Sequence, residues 1–238
     1  MLSGRGVTHS FGGLKAVKNL DFDVSEGEIV GLIGPNGAGK TTLFNLVSGA
    51  IPPKEGTIRF KGEDITGLRP DQICHRGLAR TFQTTKLFTE MSGFDNVRLA
   101  LVFGNPGRSF TFKQAEGEAN RMMASAGMLG DRNKPVKDLP LASRRRLEIA
   151  RALATNPDML MLDEAMAGLT AGEVSRSIEL VRSLRDRGVT ILMIEHVMAA
   201  IMEVCDRIVV LHNGEKLAEG TPAEVAEDPK VRSVYLGS

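Results

Sequence analysis

The sequence predicts an α/β protein built on a mainly parallel sheet, and three observations predict it. The apolar run Ile29-Val30-Gly31-Leu32-Ile33 leads straight into a glycine-rich turn followed by a helical pattern. A second run, Met159-Leu160-Met161-Leu162, ends in two acids, Asp163-Glu164. From Met159 onwards, short apolar runs alternate with helix-length stretches. An inner strand of a parallel sheet is buried on both faces and so reads as an unbroken apolar run. Regular alternation of strand and helix places such strands side by side with helices on both faces.

The elements follow in order. Leu20, Phe22 and Val24 alternate with Asp21, Asp23 and Ser25, the period of a half-solvated antiparallel strand. Ser25-Glu26-Gly27 turns the chain into the first apolar run, and a helix is expected at Leu43-Phe44-Asn45-Leu46-Val47. Residues 57–60 and 61–63 suggest an edge hairpin. Pro70 opens a short helix to about Arg76, at the position where its missing N–H is harmless. Residues 79–82 read as a strand.

Between Leu87 and Thr155 strand signals vanish. Helix formers dominate 112–126 and 143–154, with Gly104-Asn105-Pro106-Gly107 as a loop. Strands at 159–162, 190–194 and 207–211 then alternate with helices at 172–186 and 198–204. A helical insert thus interrupts an α/β core. The expected division is one domain over 1–238, with a core of about 1–86 and 156–238 and a helical unit of about 87–155. No internal repeat or low-complexity segment is present.

Composition narrows the function. The 238 residues carry a formal net charge of +1, with 42% hydrophobic and 25% charged residues. That is an ordinary globular balance, without the basic excess of a nucleic-acid binder. Cys74 and Cys205 lie far apart with no CxxC spacing, so a disulfide framework or zinc site is not expected. No apolar stretch approaches the roughly 18 to 20 residues of a spanning helix. The start of the chain lacks the charged and apolar blocks of a secretory leader. A cytoplasmic location is expected, compatible with docking on a membrane protein.

Residues 34–42 read GPNGAGKTT: Gly34, Pro35, Asn36, Gly37, Ala38, Gly39, Lys40, Thr41 and Thr42. After a strand and before a helix, this is a phosphate-binding loop. Its glycines let backbone N–H groups turn inward around phosphates, and the helix adds its positive end. Lys40 reaches the β- and γ-phosphates, and the Thr41 hydroxyl binds Mg²⁺. Asp163 emerges at a strand's C-terminal end to help hold Mg²⁺, and Glu164 accepts a proton from, or orients, an attacking water. A further apolar strand ends in Glu195-His196, placing His196 at the same crevice, where it could donate to the γ-phosphate. His9, His75 and His212 are read as structural. The methionines at 159, 161, 193, 198 and 202 are read as core filling, and Arg144-Arg145-Arg146 as a solvated helix face.

With these motifs in this order, the chain resembles the ATP-binding subunits of ATP-binding cassette (ABC) transporters over nearly its whole length. The resemblance implies a RecA-like phosphate-loop core with a mainly parallel sheet, an antiparallel β subdomain and an inserted α-helical subdomain. It implies that Gln83, in Arg80-Thr81-Phe82-Gln83, contacts Mg²⁺ or the attacking water at the hinge to the insert. It implies that Phe11 stacks on adenine, a contact of about 1–3 kcal/mol. The finer likeness is to the ATPases of branched-chain amino-acid importers. It rests on residues 34–49, Thr81-Phe82-Gln83 with Leu87-Phe88, Glu195-His196 with Met198, and the tail Val231-Arg232-Ser233-Val234-Tyr235-Leu236-Gly237. Relatives serving amide, urea or lipopolysaccharide transport share much of this. The expectation is ATP hydrolysis with Mg²⁺ by two cassettes, identical or homologous, that sandwich two nucleotides on the inner face of the cell membrane. They would drive permease subunits fed by an external solute-binding protein, with no nucleic-acid partner.

Three alternatives stay open. A GTPase switch would need a guanine-reading Asn-Lys-x-Asp segment, which the sequence lacks. A soluble ABC ATPase would usually carry two cassettes or a long coiled coil. A hydrolysis-deficient regulatory subunit is suggested by a departure from the family's signature. The signature Leu-Ser-Gly-Gly-Gln is replaced by Leu139-Pro140-Leu141-Ala142-Ser143. Pro140 removes a hydroxyl and an N–H, and Ala142 adds a methyl where backbone should approach phosphate. Ser143 or Arg144 is expected to supply the substitute donor, with Ser143 preferred. Thr170 also stands where the family has an aspartate.

Overall fold

A computed structural model of the chain describes residues 1–83, 86–105 and 107–236. Pro106 of the expected loop and Gly237 of the tail pattern lie outside the described residues. The first half contains β1 (Leu2–Phe11), β2 (Leu14–Val24), β3 (Ile29–Ile33), α1 (Lys40–Val47), β4 (Glu55–Phe60), β5 (Glu63–Asp64), α2 (Pro70–Cys74) and β6 (Leu78–Arg80). Helices α3 (Gly93–Phe103), α4 (Phe112–Ser125) and α5 (Leu141–Leu153) follow, with 3₁₀ turns at Leu129–Asp131 and Val136–Asp138. The chain then runs β7 (Met159–Asp163), α6 (Ala171–Asp186), β8 (Thr190–Ile194), α7 (Met198–Val204), β9 (Arg207–His212), β10 (Glu215–Gly220), α8 (Pro222–Glu227) and α9 (Pro229–Leu236).

Every residue of β3, β7 and β8 is buried, so these strands must occupy the middle of a two-sided sheet. They do so in a six-stranded sheet of order β10-β9-β3-β8-β7-β6, in which all pairs except β10–β9 are parallel. Side chains alternate across the sheet as the strand period requires. Val30, Leu32, Met159, Met161, Leu192 and Ile194 enter one core. Ile29, Ile33, Leu160, Leu162, Ile191 and Met193 enter the other. The first core is closed by α1 and by the antiparallel sheet β2-β1-β4-β5, whose Leu20, Phe22 and Val24 point in while Asp21 and Asp23 stay in water. The second is closed mainly by α6, α7 and one face of α5.

A third core lies among α3, α4 and α5, around Phe94, Val97, Ala119, Met123, Leu147 and Ala150. Helix α5 divides its side chains between this core and the second, with Ile149, Ala152 and Leu153 facing the sheet. It is therefore a wall shared by the insert and the sheet domain.

The structure adds elements that sequence reading passed over. Helix α3 begins at Ser92, whose Oγ accepts the Asp95 N–H at 3.0 Å. The pattern Ser92-Gly93-Phe94-Asp95 was the signal for it. Strand β10 and helices α8 and α9 were also missed. Strand β6 ends at Arg80 rather than at Phe82, although Thr81 N–H still donates to Met161 O at 2.9 Å. Of the methionines assigned to the core, Met198 is 37% exposed at the start of α7, so its assignment is corrected.

The Ser92 cap supplies a stability test. Ser92→Ala leaves the first turn of α3 without its side-chain acceptor and is expected to cost about 1 kcal/mol. A lower urea midpoint with an unchanged denaturant slope is the expected readout.

Candidate active site

Parallel pairing sets the site. Ile194 of β8 is level with both Leu32 of β3 and Asp163 of β7, and Met161 of β7 is level with Arg80 of β6. Four neighbouring strands therefore end on the same edge of the sheet, where ligands bind in open α/β folds. The segments leaving those ends are the glycine loop from β3, Glu195-His196 from β8, Glu164 from β7 and Thr81-Phe82-Gln83 from β6.

The loop's glycines answer first to packing. A Cβ on Gly34 would lie 2.2 Å from Leu211 O, and one on Gly39 would lie 2.3 Å from Ala16 O. Both residues also have positive φ, 151° and 103°. They let the loop press against the end of β9 and the start of β2, while Gly37 opens onto free space. Gly39 caps α1 without a side-chain hydrogen bond, which leaves the N-terminal N–H groups aimed at the cradle. Lys40 is buried, and its Nζ donates to Gly34 O at 2.6 Å and Pro35 O at 3.0 Å. Burial pushes its ammonium below the usual lysine range, while Glu164 and Asp163 pull the other way. Pro35 and Asn36 form the turn, Ala38 is buried, and Thr41 is exposed while Thr42 is half-buried.

Phe11 stands 53% exposed at the tip of the β1–β2 hairpin, opposite Leu14 and edge-on to His9. Ala16 of the same hairpin touches Gly39. The aromatic face is thus free and close to the loop. Phe11 is not a core residue.

Glu164 is held from several directions. Its backbone has φ +52°, an uncommon conformation for a residue with a side chain. Its N–H donates to Ile194 O at 2.9 Å. Gln83 Nε2 donates to Glu164 Oε2 at 2.8 Å, and His196 Nε2 lies 3.1 Å from Oε1. The structure therefore brings Glu164, Gln83 and His196 together as a polar cluster.

Asp163 sits beside it with a split carboxylate. Oδ2 accepts from Arg80 Nη2 at 2.7 Å, with both side chains at least nine-tenths buried. Oδ1 is buried with no partner among the described residues. Arg80 Nη1 also donates to Asn45 Oδ1 on α1 at 2.7 Å and to Oγ of Ser48, the residue that follows α1, at 2.9 Å. Phe44 and Phe82 lie on its guanidinium. Sequence reading missed this residue. Among the described residues no cluster of three His, Cys, Asp or Glu could cage a metal. Mg²⁺ does not need one, since it takes one or two carboxylates with phosphate oxygens and water. The buried, unpartnered Asp163 Oδ1 is a hard oxygen donor of the kind that fits it.

Glu195 is a second residue that sequence reading did not assign. It is 2% exposed, and its Oε1 accepts the Met166 N–H at 2.7 Å while Oε2 has no partner among the described residues. Burial pushes its carboxyl up to about 7, with Glu164 adding to the rise. The N–H groups of Met166 and His196, and Arg145, act in the opposite sense.

The signature region departs from expectation. Ser143 is buried, and its hydroxyl donates to Asp131 Oδ2 at 3.0 Å. It lies on the inner face of the first turn of α5, so its side chain is not an outward donor. Arg144 is committed too, through Nε to Leu139 O and Nη2 to Lys137 O, both at 2.8 Å. The three arginines do not form a solvated face, since all are half-buried. Arg145 Nη1 donates to Gln83 O at 2.9 Å and Phe82 O at 3.3 Å. What α5 does present is its own N-terminus, where Pro140 provides no side-chain cap and Leu141 is exposed. At the other departure, Thr170 opens α6, its N–H and hydroxyl both donating to Glu173 Oε2 at 2.9 and 2.8 Å.

A glycine loop running into a helix N-terminus at the C-terminal edge of a parallel sheet puts this fold in the class of phosphate-loop nucleotide-binding domains. Comparison with known proteins resolves the family. Residues 17–167 match the ABC transporter model, and residues 215–238 match the model described as branched-chain amino acid ATP-binding cassette transporter. The high-affinity branched-chain amino acid transport ATP-binding protein LivG of Escherichia coli K12 is 41% identical, covering 100% of this chain and 98% of LivG. The ADP conformation of MJ1267, an ATP-binding cassette of an ABC transporter, superposes with a TM-score of 0.91 at 30% identity, covering 100% of this chain and 99% of that one. The dimeric post-hydrolysis state of the cassette MJ0796, bound to ADP and Pi, gives 0.84 at 25% identity, covering 93% and 99%. The chain belongs to the ATP-binding family of ABC transporters, whose members hydrolyse ATP.

Two outcomes follow from the buried charges. Arg80→Met strips Asp163 of its cation and is expected to cost about 3–5 kcal/mol in urea unfolding, the typical penalty for orphaning a buried charge. The Glu195 carboxyl, raised in the fold from 4.5 to about 7, binds more protons folded than unfolded within that window. Its contribution to stability is therefore fully present below about pH 4.5 and is lost as the pH rises through about 7, by on the order of 3 kcal/mol. Urea midpoints measured across this range should decline more steeply in the wild type than in Glu195→Gln.

Proposed function

We propose that the chain binds ATP with Mg²⁺ in this cleft and hydrolyses it to energise import of branched-chain amino acids. The observation that carries the reading is the convergence of four parallel strand ends on one edge, with Glu164 already gripped by Gln83 and His196. Phe11 offers a face for adenine. The loop N–H groups of residues 34–42, the end of α1 and Lys40 hold the phosphates, with Lys40 keeping one of its three donors beyond its two loop carbonyls. Thr41, Gln83 and Asp163 would hold Mg²⁺, which neutralises charge developing on the β- and γ-phosphoryl oxygens. Glu164 accepts the proton of the attacking water or aligns it, and His196 orients Glu164 and the γ-phosphate.

A second cassette completes the site. The N-terminus of α5 would approach the nucleotide of the opposite subunit with backbone N–H groups, since Ser143 and Arg144 are committed within the chain. That the cassette MJ0796 is dimeric with ADP and Pi bound supports the pairing of two cassettes. An open groove of about 590 Å³ between α2, β6, α3 and α5 is lined by Leu78, Phe82, Phe88, Leu99 and Phe103, with Phe88 and Phe103 exposed. It would receive the permease on the inner face of the membrane. Among the described residues no helix is long and apolar enough to cross a membrane. The stroke would move the core, about 1–86 and 156–238, against the helical unit, about 87–155. The substrate class rests on the match of residues 215–238 and on the name of LivG.

In the complex with its permease, Glu164→Gln is expected to retain ATP binding and to lower hydrolysis by about 10²–10⁴-fold. Unimpaired turnover would remove the role given to Glu164. Hydrolysis stimulated by a leucine-loaded binding protein, and not by an amide- or urea-loaded one, would support the substrate class.

A further inference from the structure

We propose that Glu195 is a positioning residue for hydrolysis, its carboxyl oxygen pinning the Met166 N–H and so fixing the turn that presents Glu164. The inference rests on the ATPase reading above.

The tip of β8 holds this turn at both ends. Ile194 O accepts the Glu164 N–H at 2.9 Å, and Glu195 Oε1 accepts the Met166 N–H at 2.7 Å. Between these two anchors the chain leaves β7 and takes the positive φ of Glu164. Such a conformation is strained and persists only where its surroundings over-determine it. After Met166, the bonds found among the described residues for 167–169 are the longer turn bonds Ala167 N–H to Glu164 O and Leu169 N–H to Met166 O, each 3.3 Å. The Glu195 contact is thus the shortest polar anchor on the far side of Glu164.

The neighbouring residue makes the logic sharper. Side chains alternate along an extended segment, and here His196 reaches Glu164 Oε1 at 3.1 Å while Glu195 turns into the interior. Three consecutive residues, Ile194, Glu195 and His196, therefore grip the Glu164 turn by a backbone carbonyl, an inward carboxyl and an outward imidazole. Only an acceptor of the right length can fill the middle role. The buried Oε2 has no partner among the described residues, so the role asks for no negative charge, and glutamine should fill it.

The test compares wild type, Glu195→Met and Glu195→Gln in the cassette–permease complex, with ATP turnover and thermal melting measured on each. Methionine keeps the bulk and removes the acceptor. The expected result is a fall in kcat of about 10- to 100-fold for Glu195→Met, the scale on which small misplacement acts. The KM for ATP should change less than about twofold, since the loop, Lys40 and Phe11 are untouched. Glu195→Gln should restore kcat. Wild-type kcat in Glu195→Met would overturn the proposal, and so would a Glu195→Gln variant as slow as Glu195→Met. A parallel loss of kcat, ATP affinity and melting temperature would show a merely structural role and overturn it too. If Glu195→Met does not fold, replacing Met166 by its α-hydroxy analogue removes only the N–H, and unchanged kcat there would overturn it. An inactive wild-type complex would instead remove the ATPase reading, and this inference with it.

Discussion

Strands β3, β7 and β8 have no polar face, and that constraint orders the rest of the molecule. Apolar on both sides, they can be satisfied only inside a sheet covered twice. The antiparallel sheet with α1 supplies one cover, and α5, α6 and α7 supply the other. Crossovers long enough to build these covers make the strands parallel, and parallel strands share a C-terminal edge. The candidate site collects there because the segments leaving adjacent strands come out side by side. Gly34, Thr81, Glu164 and His196 are far apart in sequence yet follow the ends of adjacent strands.

The same burial makes charge at this edge consequential. Arg80 and Asp163 face each other out of water, where an isolated charge is costly. A guanidinium suits the position better than an ammonium, because its planar fork can divide donors between two elements. One nitrogen meets Asp163 on β7, and the other meets Asn45 on α1 and Ser48 just after it. Arg80 thus ties the helix of the phosphate loop to the strand carrying the acids, while leaving Asp163 Oδ1 open. Lys40 is similarly withdrawn from water, its ammonium kept among loop carbonyls and near two carboxylates.

The sequence made much of this legible, for definable reasons. Burial on two faces produced the apolar runs, and loop chemistry produced the glycine pattern. The expectations for β2, β3, β7 and β8 correspond to strands in the structure, and Lys40, Glu164 and His196 lie in the segments that follow β3, β7 and β8. Arg80 and Glu195 were not legible, because their roles depend on partners 83 and 29 residues away in the chain. A charged residue at a strand end reads the same whether it faces water or a buried acid. Alternation alone did offer a hint at Glu195, since a neighbour of outward His196 should point inward. Ser143 failed differently. Alignment to a motif gives a residue's place along α5 but not its orientation, and the insert's own packing turned that hydroxyl to Asp131.

Helix α5 is where these separate arguments meet. Its side chains enter two cores, one shared with the sheet and one with α3 and α4. Its N-terminus carries the divergent signature, and its middle holds the segment around Gln83. Arg145 binds the carbonyls of Phe82 and Gln83, Glu148 accepts the Lys86 N–H at 3.2 Å, and Arg151 donates to Lys86 O. A displacement of the insert therefore cannot move the signature end of α5 while leaving Gln83 in place, because one rigid rod carries both. Gln83 in turn donates to Glu164. Contact made at the groove beside α5 thereby has a short mechanical route to the Glu164 carboxylate, through one helix, one arginine and one amide.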